Sequence, residues 1–148
     1  GGAFGSSIID HQMMQMLYEL FDERNVNAFA MKYQQSYVEL LENMIWSKCQ
    51  FTYNTEKYHS ILIPMNFIDY MSENVKSADN DLENYLGNVQ SLCDYYNGEQ
   101  LIKLTTDYLL IHTDVWMKWF DKCIERILYH CDVILSNDEM NNGQCKYL

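Results

Sequence analysis

Residues 99–135 read EQLIKLTTDYLLIHTDVWMKWFDKCIERILYHCDVIL, and how this run divides decides the fold. Apolar side chains recur through it at helical spacing. A single helix of that length would extend roughly 55 Å, longer than a compact domain of this size accommodates. The run therefore splits, and His112-Thr113-Asp114 is the place, because Thr113 can cap a new helix. Upstream of the split, Leu101, Ile102, Tyr108, Leu109 and Ile111 leave almost no polar side, which predicts a central, buried helix. Downstream, Trp116, Phe120, Cys123, Ile124 and Ile127 define the expected core face.

Working backwards, Leu82, Tyr85, Leu86, Val89, Leu92 and Cys93 predict a helix that Asn97-Gly98 closes as a left-handed cap. The acids Asp79, Asp81 and Glu83 stand in the polar break before it and suit its N-terminus. Pro64 marks the start of another helix, or a kink, followed by Met65, Ile68, Met71 and Val75. Thr55 would cap a short helix reaching Ile63, with residues 50–55 as a loop. Nearer the N-terminus, one helix is expected over 7–24, with Ser7 and Asp10 as its capping box. A second, over 28–49, is entered from Asn27. The expected architecture is all-α: a compact bundle of about six or seven helices around a central apolar helix. Residues 7–135 form its single domain. Residues 1–6 read as a cloning remnant and flexible N-terminus, and the polar residues 136–148 as a flexible tail.

With 148 residues, 48% of them hydrophobic, the chain can bury one core. A net charge of −11 repels phosphate backbones and anionic headgroups, so neither direct nucleic-acid binding nor membrane insertion is expected. Five cysteines at irregular spacing point to free thiols in a reducing compartment, hence an intracellular protein of cytoplasm or nucleus.

Chemistry finds little support. Cys123, His130 and Cys131 lie close in sequence but lack the ligand spacing of a zinc site. Glu56-x-x-His59 is half of a di-iron helix motif with no second half. No nucleophile elbow or phosphate loop occurs, so no metal, cofactor or catalytic residue is assigned. Two features point to partners instead. Lys118, Lys122, Arg126 and His130 repeat every four residues, a basic row in an acidic protein that could dock an acidic peptide. Met13, Met14 and Met16, with Met31 and Met44, could line an adaptable groove for a helix, and Met14 lies off the core stripe. The expectation is a non-enzymatic protein–protein interaction domain binding a partner helix or peptide. An enzyme with a Cys/His site between helices and a structural oligomerisation domain are the alternatives.

Overall fold

The computed structural model describes residues 3–52, 56–74 and 81–142, with side chains placed for 7–52, 56–74 and 81–137. Six helices and one small antiparallel sheet build the described residues. Helices α1 (Ala3–Phe21), α2 (Glu23–Lys32) and α3 (Gln34–Gln50) lead to strand β1 (Tyr58–Leu62). Helices α4 (Met65–Asn74) and α5 (Leu82–Asn97) precede strands β2 (Ile102–Leu104) and β3 (Tyr108–His112), and α6 (Thr113–Asn142) ends the chain's described part.

The helical class holds, and its most buried helix is α1 rather than residues 101–111. Ile9, Met13, Met16, Leu17, Leu20 and Phe21 of α1 are all buried. Residues 101–111 form a hairpin instead of a central helix, because Thr105-Thr106-Asp107 turns the chain: Thr105 Oγ1 accepts from the Asp107 and Tyr108 N–H groups. Burial then alternates along short strands. Ile102 and Leu104 face Ile111 and Leu109 across the sheet, while Lys103 points away. On the other side β1 pairs with β3, Ile61 opposite Leu109, giving the order β1-β3-β2. Strand β1 occupies residues expected to be helical, and Thr55 lies outside the described residues.

Helix ends follow local chemistry. Asp22, held at φ 71°, takes the capping position expected of Asn27 by accepting from Arg24 N–H, so Asn25 and Asn27 fall inside α2. The expected helix 28–49 is consequently two, broken at Tyr33. Met65 begins α4 directly after Pro64. Asp81 caps α5 through Asn84 N–H at 2.7 Å, and Gly98 ends it at φ 88°; Val75 and Asp79 lie outside the described residues. The split at 112–114 is correct, but His112 Nδ1 caps α6, accepting from Asp114 N–H at 3.0 Å. Thr113 Oγ1 donates back to Glu56 and Lys57 carbonyls and ties α6 to the start of β1.

At both ends the helices run past the bounds expected for the domain. Helix α1 starts at Ala3, ahead of the Ser7/Asp10 box and within the expected flexible segment 1–6. Helix α6 continues through residues 136–142, which polarity alone assigns to a tail; residues 143–148 lie outside the described part.

The core joins α1 to the sheet and α6. Phe21, Phe29 and Phe67 meet edge to face at 5.0 Å, and fully buried Trp116 stacks on Phe51 and meets Trp119. Of the core face expected on α6, Trp116 and Cys123 are buried and Phe120 is half-buried against Phe51. Ile124 and Ile127 are not core: they are 52% and 43% exposed, because the buried face of α6 ends at Cys123.

Candidate functional site

A shallow apolar cleft of about 200 Å³ opens between α1 and α3, lined by Asp10, Met13, Met14, Leu41, Met44 and Ile45. Its floor is made by the core stripe of α1, where Met13 is buried, and by buried Met44 of α3. Met14 follows Met13 by one residue and is turned roughly 100° from it on the helix, which places it at the rim, half-buried. On α3 the wall continues outward as Val38, Leu41 and Ile45, spaced i, i+3 and i+7, with Val38 50% and Ile45 48% exposed. Flexible thioethers beside aliphatic side chains make a surface that repacks to fit different apolar partners.

The polar end of this cleft is fixed. Lys48 Nζ, on a side chain only 10% exposed, reaches Asp10 Oδ1 at 2.6 Å and joins α3 to α1. Ser47, also buried, donates to the Ser60 carbonyl at 2.8 Å and holds α3 on β1. The first anchor ties α3 to α1 beneath the cleft, and the second ties α3 to the sheet.

Sequence reasoning found part of this site. Met14, Met13 and Met44 come together as the methionine pattern suggests. Met16 is instead fully buried, and Met31 stands exposed on α2 outside the cleft lining. The half-open position of Leu41 and Ile45 follows from the break at Tyr33, which separates α3 from α2.

The basic row is only partly assembled. Lys122 and Arg126 line a hollow of about 340 Å³ with Ser7 and Ile8 of α1, and Lys122 Nζ donates to Gln12 Oε1 at 3.2 Å. Lys118 is exposed outside that hollow, while His130 is half-buried beside Tyr129. Asp114, four residues before Lys118, lies 3.6 Å from His112 Nδ1.

A larger cleft of about 430 Å³, missed by sequence reasoning, lies where the α1–α2 junction meets α5. Its walls include Tyr85, Val89 and Leu92, and its rim carries Glu19, Asp22 and Glu23. These carboxylates are distant in sequence from α5, so no local pattern could signal their meeting. Burial and the Glu19 carboxylate together push the Tyr96 phenol upward.

Polar chemistry concentrates around a third cleft of about 310 Å³, lined by Ser47, Thr52, Glu56, His59 and neighbours. His59 lies against the Phe51 ring at 4.7 Å, and its Nε2 is buried without a hydrogen-bond partner among the described residues. Among the described residues, no group of three or more His, Cys, Asp or Glu side chains could hold a metal ion. The four cysteines described, Cys49, Cys93, Cys123 and Cys131, are free thiols. Burial pushes the Cys93 thiol up to about 12, away from the thiolate a nucleophile requires. No helix of the described residues is long and apolar enough to cross a membrane. No protein-family model matches this chain, and neither a curated protein nor a solved structure matches it.

Proposed function

We propose that this domain is a non-enzymatic protein–protein interaction module whose α1/α3 cleft receives an apolar face of a partner helix or peptide, in an intracellular setting. The observation that carries this reading is the continuity of Met14 with Leu41, Ile45 and Val38. Together they form an apolar strip, half open to water, beside a rigid Lys48–Asp10 anchor. A helix laid along it would place i, i+3 or i+4, and i+7 side chains on the strip. Free cysteines support the reducing compartment.

Two other readings carry less. The order helix, strand, helix, helix, hairpin from α3 to β3 is also the connectivity of winged helix-turn-helix units. In a DNA reader the second helix of the pair would enter the major groove. Here that helix, α5, carries Glu83 and Asp94 and neither lysine nor arginine, so phosphates would repel it. Connectivity by itself does not assign function. For an enzyme, the His59 cleft supplies a histidine, but Ser47 beside it is buried and committed to the Ser60 carbonyl, and no cysteine lines that cleft.

The test uses protein labelled at methionine methyls and a 16-residue helical peptide with leucines on one face and lysines on the other. Binding should move the Met14 and Met44 resonances and leave Met65 unmoved. Ile45→Glu should weaken binding at least tenfold without changing the melting temperature by more than a few degrees. Shifts that spare Met14 and Met44 would remove the cleft as the docking site.

A further inference from the structure

We infer that the cleft between the α1–α2 junction and α5 is a docking site for an arginine side chain of a basic partner segment. This cleft shares no lining residue with the α1/α3 cleft, so the inference stands independently of that reading. Its wall is apolar where Val89 and Leu92 of α5 meet it, and its rim is acidic where α1 ends and α2 begins, at Glu19, Asp22 and Glu23. At about 430 Å³ it has the size of a ligand pocket rather than a surface dimple. The three carboxylates are exposed, and none has an ion-pair partner among the described residues. Arg24, the nearest cation in sequence, lies outside the lining. Asp22 Oδ1 accepts from Arg24 N–H at 2.9 Å, which holds that carboxylate in place at the start of α2.

An acidic rim by itself is an ordinary solvated edge. Tyr85 makes this one a site. It lines the same cleft, is only 5% exposed, and its hydroxyl makes no hydrogen bond among the described residues. Buried tyrosines normally bond that hydroxyl. Burial also pushes the phenol upward, so it stays neutral and keeps a lone pair to accept with. Together these groups select the occupant. Carboxylates reject an anion and favour a cation. An apolar wall favours a cation carried on a hydrocarbon stem. A phenol oxygen close to several carboxylates favours a group with many donors. A guanidinium meets all three demands: its donors form a fixed fork, and it is less strongly hydrated than an ammonium. The net charge of −11 draws basic partners toward the molecule in the first place.

The probe is a blocked pentapeptide, Gly-Leu-Arg-Arg-Gly, titrated into the full chain labelled at valine and methionine methyls. The Val89 methyl resonances should shift and saturate at about millimolar peptide or below, while Met14 and Met44 stay. Citrulline in place of both arginines keeps the shape and removes the charge, and should weaken binding about tenfold. Glu19→Gln with Glu23→Gln should do the same without moving the melting temperature by more than a few degrees. Asp121→Asn with Glu125→Gln, on α6 and outside the cleft lining, removes as much charge and should leave the affinity within about twofold. Tyr85→Phe takes away only the unpaired hydroxyl. It should weaken binding about threefold or more and leave the melting temperature unchanged, since the folded chain loses no hydrogen bond. Val89 unmoved by the peptide, citrulline binding as well as arginine, equal losses from the two charge-removing pairs, or full affinity in Tyr85→Phe would each overturn the inference.

Discussion

Lys48 Nζ and Asp10 Oδ1 meet at 2.6 Å across α3 and α1, with the lysine nearly buried and the aspartate 41% exposed. The two ends therefore differ in what their loss does. Asp10→Ala takes the carboxylate from a nearly buried ammonium, which costs more than the modest worth of an exposed pair. Expected is a loss of about 1–2 kcal/mol for Asp10→Ala, partly recovered by adding Lys48→Met, whose stem can stay packed. A denaturant-melting double-mutant cycle reads the coupling. Strict additivity of the two changes would mean that the pair holds nothing.

Gln90 does for β2 what a fourth strand would do. Its Nε2 donates to the Ile102 carbonyl at 2.7 Å, and its Oε1 accepts from Leu104 N–H at 2.9 Å. Both backbone groups lie on the edge of the sheet, where unpaired groups are a liability. Gln90→Leu should cost about 1–3 kcal/mol and speed hydrogen exchange at the Leu104 amide more than at Ile111, on the central strand. Equal acceleration at both sites would argue for global loosening rather than loss of this edge cover.

The two buried acids of α5 set an alkaline limit. Burial pushes the Cys93 thiol up to about 12 and moves the Tyr85 phenol upward too. In the unfolded chain both groups release their protons near their ordinary values, while the folded protein keeps them. Above about pH 9 the native state thus binds more protons than the unfolded one, and stability falls as pH rises toward 12. Each group contributes a slope of up to about 1.4 kcal/mol per pH unit. Urea midpoints from pH 8 to 11 should decline, and Cys93→Ala should flatten the early part of that decline. In the same window Cys49, which is exposed, should react with a thiol reagent well before Cys93.

Much of the helical frame is legible in the sequence because its determinants are local. Asp81 and Gly98 bracket α5, Pro64 precedes α4, and the 112–114 break separates hairpin from helix, each by chemistry within a few residues. The hairpin is not legible in the same way. Leu101, Ile102, Leu109 and Ile111 satisfy a buried helix as readily as a buried strand pair, and strands of three and five residues are too short for alternation to declare itself. Only the polar triplet 105–107 tells the two apart. Strand β1 hides because its pairing with β3 crosses some fifty residues of chain. The methionine cleft is half legible: which methionines share a helix face can be counted, but the tilt of α3 depends on a break at Tyr33 that no glycine or proline marks.

Along α6 the balance between burial and exposure changes at Cys123, and truncation should report the step. Trp116→Ala removes a fully buried ring stacked on Phe51 and should cost about 3–5 kcal/mol. Phe120 is half-buried, stacked on Phe51 at 5.0 Å, so Phe120→Ala should cost less, about 1–3 kcal/mol. Ile127→Ala, beyond the step, should cost under about 1 kcal/mol in dilute protein. Denaturant melts of the three variants in dilute protein decide this. A cost for Ile127→Ala that matches Trp116→Ala in dilute protein would show that the core extends past Cys123 after all.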